Sequence, residues 1–263
     1  GRDLQMQLAR ARWGRGDPKN AVAILDAAVL SAGQLGEDGV SALAELLGQR
    51  GYARTRLFRF KAAEQDFRRG LTVLGERSPM VANTLRRELA NLLIMTGRHE
   101  EALRGAQDSL DSNLRIFGPS HPETCRAWIV VGKASFYLGD SKRAQMAIGK
   151  ALAILEAQVG ADHPDLAEAL VVRSGLAFEQ GDLAATLKDA RKAADLLERA
   201  YGRRHEATLK RLTDLASLLI MRAERSEGAG READYREAAG LLSDAIGTGT
   251  QLGLPMAYAR DEY

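Results

Sequence analysis

The sequence is poor in the residues that mark several classes of protein. Its 263 residues include one cysteine, six prolines and 5% aromatic side chains. A single cysteine excludes an internal disulfide framework, which fits a reducing compartment. No apolar run approaches the roughly 18 residues of a membrane span, and no basic segment followed by an apolar one opens the chain. We therefore expect a cytoplasmic protein.

The chain also lacks an excess of charge of either sign. It has 37 basic and 35 acidic residues, so the net charge of +2 does not by itself indicate a nucleic-acid or membrane binder. Its hydrophobic content of 45% is typical of a folded domain. The chain begins with glycine and ends in what looks like the start of a helix, and we therefore expect it to be part of a longer protein.

The hydrophobic pattern predicts an all-α fold. Strand signals are scarce, whereas alanine, leucine, arginine and glutamate recur at helical spacing. Predicted helices of about 14 to 18 residues are separated alternately by a short tight turn and by a Gly-x-x-His-Pro linker. This regularity indicates an internal repeat.

The tight turns recur at near-constant spacing, at Gly16, Phe58, Gly97, Gly139, Gly181 and Ala233. The intervals between them are 42, 39, 42, 42 and 52 residues. The ten-residue excess before the last turn falls in the polar segment 222–235, which we expect to lengthen a helix or to form a protruding turn. A tolerated surface insertion is favoured over a specific contact loop.

Small residues occupy fixed positions relative to these turns. Five positions after them stand Ala21, Ala63, Ala102, Ala144, Thr186 and Ala238. Twelve positions after them stand Ala28, Gly70, Ser109, Ala151, Ala193 and Ala245, and seven before the first five stand Ala9, Gly51, Ala90, Gly132 and Ser174. Two antiparallel helices approach to about 8 Å only where their contact residues are small. The three columns therefore predict stacked helical hairpins.

The linkers between hairpins carry a second motif, "GPSHP" at 118–122 and "GADHP" at 160–164. Glycine suits a left-handed helix C-cap, and proline suits the first position of the next helix. A third copy, "GRRHEAT" at 202–208, has Glu206 in place of proline, and an acidic side chain still favours a helix N-terminus. We interpret the motif as punctuation between repeats, with the histidine as a helix cap.

The segment "HPDLAEALVVRSGLAFEQGD" at 163–182 and the 42-residue period resemble tetratricopeptide repeats of the kinesin-light-chain sort. The resemblance implies one continuous right-handed solenoid of helical hairpins. The expected repeats are 1–36, 37–76, 77–118, 119–160, 161–202 and 203–253, with 254–263 beginning a truncated one. The paired asparagines usual in the first helix of that family are replaced by Val171 and Val172, so its partner preferences are not carried over.

The resemblance also implies that the first helix of each repeat lines a concave face. Positions ten, six and two before each turn then include the candidate peptide-binding residues Arg10, Tyr52, Arg56, Arg87, Asn91, Lys133 and Tyr137, with Arg126 one turn away. A solvated face without a ligand is an equally open interpretation of these arginines. A bulky column three positions before the turns is expected in the core: Trp13, Ile94, Phe136, Phe178 and Ile220.

Sequence motifs for catalysis, metals and cofactors are weak or absent. His121, His163 and His205 are equivalent by repeat and would lie on the order of 20 Å apart, too far to share a zinc ion. Cys125 follows His121 by four residues but has no orienting third group. "GAGREA" at 228–233 follows no predicted strand, unlike a dinucleotide-binding loop. We predict no enzyme, no metal and no cofactor.

These patterns predict a protein-interaction scaffold within a larger regulatory or signalling protein. The expected partner is a protein or peptide, acidic and carrying an aromatic anchor, bound on the concave face. The alternative is an appended sensor of a kinase or protease whose catalytic domain lies outside this chain. Nucleic acid is a weaker third candidate because the charges nearly balance, and no membrane partner is predicted.

Overall fold

The computed structural model describes residues 18–34 and 36–251 of the chain. These residues form one 3-10 helix, Gly36–Gly39, and eleven α-helices, and they contain no strand. The α-helices are α1 (Pro18–Gly33), α2 (Val40–Arg56), α3 (Phe60–Leu74), α4 (Pro79–Met95), α5 (His99–Phe117), α6 (Pro122–Tyr137), α7 (Ser141–Val159), α8 (Leu166–Glu179), α9 (Leu183–Tyr201), α10 (Glu206–Glu224) and α11 (Gly228–Gln251). The all-α prediction is confirmed. Arg10, Trp13 and the segment 254–263 lie outside the described residues.

The chain divides into two compact units, Gly1–Asp140 and Ser141–Tyr263. In the first unit α2 packs against α3 and α4 packs against α5, as the two helices of successive hairpins. Helix α4 also contacts α2 on one side and α6 on the other. The first helices of three successive predicted repeats therefore lie side by side.

The second unit is built in the same way. Helices α8 and α9 pack together, as do α10 and α11, while α9 also contacts α10 and α7 contacts α8. Each predicted repeat from residue 37 to residue 253 contains two of the observed α-helices, although the boundary between 36 and 37 falls inside the 3-10 helix Gly36–Gly39. That the repeats form one continuous array stays a prediction.

The small columns lie in the helix contacts. The residues five positions after the predicted turns, from Ala21 to Ala238, are each at most 1% exposed. In the second column Ala28, Ser109, Ala151 and Ala193 are at most 1% exposed, whereas Ala245 is half-buried. A Cβ atom added at Gly51 would lie 2.7 Å from the ring of Phe67. The packing prediction is confirmed at these positions because the crossings leave no room for larger side chains.

The linker motif caps helices as predicted. Gly118, Gly160 and Gly202 have φ near +81°, where a residue without Cβ is unstrained. The Nδ1 atoms of His121 and His205 accept hydrogen bonds from the backbone N–H two residues later, both at 3.2 Å. These histidines act as N-caps by satisfying a free N–H of the first helical turn.

The linker GADHP at 160–164 differs from the prediction in one respect. Pro164 does not open a helix as Pro122 does, because residues 163–165 first wind a tight turn and α8 begins at Leu166. In that turn the N–H of Leu166 donates to the carbonyl oxygen of His163 at 3.1 Å. Nδ1 of His163 still accepts from the N–H of Asp165, at 3.3 Å.

The excess residues before the sixth predicted turn lengthen both helices of the last hairpin. Ala233 was predicted as a tight turn, and this is wrong: α10 ends at Glu224 and α11 begins at Gly228, so that Ala233 lies inside α11. The backbone reverses at 225–227, helped by the positive φ of +64° at Gly228. Asp234 on α11 is 6% exposed and accepts two hydrogen bonds from Arg222 on α10. Nε of Arg222 donates to Oδ2 at 2.7 Å, and Nη2 donates to Oδ1 at 2.6 Å.

Candidate functional site

Every described candidate residue lies on α2, α4 or α6. Helix α2 carries Tyr52 and Arg56, α4 carries Arg87 and Asn91, and α6 carries Arg126, Lys133 and Tyr137. These helices belong to the first unit and contact one another in the order α2, α4, α6. We refer to these seven residues, with Met95, as the α2–α4–α6 face.

Large apolar groups are exposed on this face. Tyr52, Met95 and Tyr137 are 49%, 49% and 55% exposed. The Tyr137 ring stacks on His99, with ring centroids 5.2 Å apart and planes inclined by 14°. Its edge also meets Phe136, with centroids 5.4 Å apart. Tyr137 is thus held in place while much of its surface stays accessible to a partner.

The positive charge of the face is partly neutralised by two carboxylates. Nη1 of Arg87 donates to Oε2 of Glu123 at 2.7 Å, and Nη2 of Arg87 donates to Oε1 of Glu88 at 3.1 Å. Arg126 donates to the other carboxylate oxygen of Glu123. Glu123 therefore links α4 to α6 and forms ion pairs with two of the predicted cations, Arg87 and Arg126.

Glu88 and Glu123 were not predicted as part of the site. A signal for Glu123 was present, because it stands three residues before Arg126 in the first turn of the same helix. No comparable signal links Glu123 to Arg87, since the two are 36 residues apart. The face is consequently less basic than its arginines and lysine suggest.

Equivalent positions in successive repeats form a polar pair on the face. Nζ of Lys133 donates to Oδ1 of Asn91 at 3.0 Å, across 42 residues of sequence. The side-chain amide nitrogen of Asn91 has no hydrogen-bond partner among the described residues. Such a group can donate to a backbone carbonyl of an extended chain laid along the face.

The other polar residues considered for chemistry have structural roles. Cys125 is fully buried, and burial raises the pKa of its thiol to about 11, so the thiolate is scarce at neutral pH. Within the described residues no three His, Cys, Asp or Glu side chains are grouped as metal ligands would be. The same residues include no helix long and apolar enough to cross a bilayer.

A set of ion pairs inside the hairpins was missed from the sequence. Arg50 donates to Asp66 and Arg173 donates to Asp189, in each case through two hydrogen bonds between the paired helices. Both arginines stand eight residues before a turn and both aspartates eight after it. That mirrored spacing was a readable signal, because positions equidistant from a hairpin turn face each other.

Comparisons with known proteins agree with this architecture. Residues 80–157 match the family model described as tetratricopeptide repeat. Among curated proteins, none matches the sequence. The tetratricopeptide resemblance predicted from the sequence is confirmed by that match together with the solved structures of similar fold.

Three solved structures illustrate the similarity. A Rap protein complexed with competence and sporulation factor is 11% identical, with a TM-score of 0.65 over 96% of this chain and 77% of that one. BtubC (BKLC) from P. vanneervenii is 18% identical, with a TM-score of 0.61 over 94% and 93%. A putative kinesin light chain from Podospora anserina, with nearly identical TPR-like repeats, is 13% identical, with a TM-score of 0.54 over 81% and 97%. At these identities the likeness concerns the fold.

Proposed function

We propose that this tetratricopeptide repeat array is a protein-interaction scaffold whose α2–α4–α6 face binds an extended segment of a partner protein. The observation that carries the proposal is the presence of exposed Tyr52, Met95 and Tyr137 on three helices that lie side by side. The Rap structure of the same fold, which contains competence and sporulation factor, supports this use of the fold.

The groups on the face suit a peptide with one large apolar side chain. Burying such an anchor against Tyr52 or Tyr137 contributes roughly 1.5 to 3 kcal/mol, largely independent of salt. The free amide nitrogen of Asn91 supplies a donor for a backbone carbonyl of the bound segment. Apolar contact therefore provides most of the affinity in this proposal, and the polar groups provide orientation.

We further propose that the bound segment is acidic. The face carries four basic residues, Arg56, Arg87, Arg126 and Lys133, which can each bind a carboxylate. Two of them, Arg87 and Arg126, already pair with Glu88 or Glu123. A ligand carboxylate would share or replace Glu123 on Arg87 and Arg126. This exchange lowers the electrostatic gain, so we expect a moderate preference for acidic ligands that weakens as salt rises.

A peptide-library pull-down tests the proposal. The full chain is compared with Arg87→Glu/Lys133→Glu and with Tyr52→Ala/Tyr137→Ala, and Lys150→Glu/Lys188→Glu on exposed positions of α7 and α9 serves as a charge-matched control. We expect enrichment of acidic peptides with an aromatic residue by the wild type and the control, and a marked reduction of that enrichment in the two face variants. Equal enrichment by all four proteins, or none by any, would reject the face as the site.

The regulatory setting of the scaffold is also a proposal. A scaffold within a signalling protein and a sensor attached to a kinase or protease would use the same binding face. Sequencing the coding region on both sides of these residues separates the two, because only the second requires a catalytic domain on the same polypeptide.

A further inference from the structure

The turn between α2 and α3 departs from the three hairpin turns that follow it. Phe58 has a φ of +57°, in the left-handed region, where the equivalent residues Gly97, Gly139 and Gly181 have φ of +77°. This conformation is unstrained for glycine and disfavoured for a residue with a Cβ atom. The chain therefore retains a phenylalanine where its own repeats favour glycine.

Burial does not account for this phenylalanine. Phe58 is 41% exposed, and its ring meets the ring of Phe60 edge to face, with centroids 5.9 Å apart. A core residue of this size in the same hairpin, Phe67, is 1% exposed. A strained and exposed aromatic residue is typical of a position kept for binding.

Positive charge surrounds Phe58. The segment 54–61, "RTRLFRFK", contains four basic residues and no acidic one. Arg54 is bonded to Asp26 and Asp66 on the inner side of the hairpin. Arg59 and Lys61 are exposed, and neither forms an ion pair with any residue that the structure describes. We refer to Arg56, Phe58, Arg59 and Lys61 as the tip patch.

The next hairpin turn shows that this arrangement is not a general property of the repeats. Arg98 corresponds to Arg59, one residue after the turn. Two carboxylates bind it: Nη1 of Arg98 donates to Glu64 at 2.8 Å, and Nη2 donates to Glu101. The cation that follows the α4–α5 turn is therefore neutralised by carboxylates, whereas Arg59, which follows the α2–α3 turn, forms no ion pair with a described residue.

We infer that the tip patch is a docking site for an acidic protein segment that carries an apolar side chain. Its cations complement a few carboxylates, and Phe58 provides a contact for one apolar group. The site goes beyond the proposed function because it lies at the hairpin turn, although Arg56 belongs to both surfaces. An interface of this composition, an aromatic residue flanked by arginines, is common at protein contacts.

Two other anionic partners fit the patch less well. A nucleic acid strand requires a track of cations, and the track ends at Arg98, which is already bonded to two carboxylates. A lipid surface is typically bound by clusters of four to eight basic residues. The tip patch has three, so an acidic protein segment is the partner that its charge favours.

Fluorescence anisotropy with defined probes tests the inference on the full chain. The probe is a fluorescein-labelled 12-residue peptide of glutamates around a central phenylalanine, and the same peptide with glutamines is its uncharged counterpart. The variants are Phe58→Gly and Arg59→Glu/Lys61→Glu. The matched control is Lys142→Glu, because exposed Lys142 stands three residues after its turn, as Lys61 does. Phe58→Gly is expected to fold, since glycine accepts this backbone.

The substitutions are compared in the Tyr52→Ala/Tyr137→Ala background, in which the α2–α4–α6 face no longer contributes. There we expect the tip substitutions to weaken binding of the glutamate peptide at least fivefold and Lys142→Glu to change it less than twofold. The glutamine peptide should bind weakly to every protein. The face variant Tyr52→Ala/Tyr137→Ala without tip substitutions should keep part of the wild-type affinity for the probe, and this remaining part separates the inference from the proposed function.

Three results would overturn the assignment. The first is unchanged or undetectable peptide binding in wild type and tip variants alike. The second is loss of peptide binding in the face variant alone, which would place the peptide on the α2–α4–α6 face. The third is tighter binding to phosphatidylserine–phosphatidylcholine vesicles or to a single-stranded oligonucleotide that the tip variants abolish.

Discussion

Arg173 and Asp189 join the two helices of the α8–α9 hairpin through parallel hydrogen bonds, from Nε to Oδ2 at 2.6 Å and from Nη2 to Oδ1 at 2.8 Å. The aspartate is 5% exposed, whereas the arginine side chain is 47% exposed. The carboxylate of Asp189 is thus buried, whereas the side chain of Arg173 that binds it is half exposed to solvent. The same bidentate geometry recurs in the α2–α3 and α10–α11 hairpins.

Removing the buried carboxylate should destabilise its hairpin. Asp189→Ala is expected to lower the free energy of unfolding by about 1 to 3 kcal/mol, because two charge-assisted hydrogen bonds are lost and partial exposure of Arg173 limits the effect. Glu237→Ala, which breaks an exposed pair with Arg191, should cost less than about 1 kcal/mol. Urea unfolding measures both, and equal effects would contradict the expected role of burial.

Acid should weaken the α10–α11 hairpin through Asp234. The hydrogen bonds from Arg222 hold the pKa of Asp234 below its ordinary value of 3.8. A carboxyl with a lowered folded-state pKa contributes stability above its unfolded pKa, and that contribution is lost as pH falls through the folded-state pKa. Asp234→Asn should therefore be less stable than wild type at pH 7, with the difference shrinking below about pH 4. Urea midpoints between pH 2.5 and 7 test this, and a difference independent of pH would contradict it.

Larger side chains at the small-residue positions of the hairpins should lower the free energy of unfolding. Ala144→Leu and Ala151→Leu are each expected to cost about 1 to 3 kcal/mol, because both alanines are 0% exposed. Ala153→Leu on the same helix, at an exposed position, should be nearly neutral. If all three variants shared the wild-type denaturation midpoint, the alanines would not be packing positions.

The strained turn predicts that stability is changed less by replacing Phe58 with glycine than by replacing a turn glycine with phenylalanine. Phe58→Gly should remain within about 1 kcal/mol of wild-type stability, because relief of the left-handed strain offsets the lost contact with Phe60. Gly181→Phe should lower stability by about 1 to 2 kcal/mol, because it introduces that strain. Thermal unfolding compares the two, and a loss at Phe58→Gly as large as at Gly181→Phe would show that the ring is mainly structural.

Glu123 should restrain the binding of acidic ligands to the α2–α4–α6 face. Glu123→Gln leaves the backbone groups that His121 and Asn113 use, but it removes the charge that holds Arg87 and Arg126. Acidic peptides selected by the wild type should therefore bind several-fold more tightly, with a steeper dependence on salt. Glu156→Gln at an exposed position of α7 is the control. Unchanged titration curves for Glu123→Gln would argue against carboxylate recognition by these arginines.

The amino-acid sequence by itself determined the helices, most of their ends and the residues at which hairpins pack. These features are local or strictly periodic: glycine at 118, 160 and 202 takes a backbone conformation that few residues can, and alanine at 63, 102 and 144 recurs at the repeat spacing. The same reliance on spacing misplaced the sixth turn at Ala233, because two lengthened helices moved the reversal to 225–227.

Only the tertiary structure decided which charges meet. Arg87 and Glu123 are 36 residues apart and belong to different hairpins, so their contact depends on how two helices cross and on which rotamers the neighbours allow. A helical pattern assigns a residue to one side of its own helix and does not show which residue of another helix lies opposite. For this reason the sequence predicted a basic face, whereas packing places Glu88 and Glu123 on two of its arginines. Near Phe58, Arg59 and Lys61 form no ion pair with any residue of the described ranges 18–34 and 36–251.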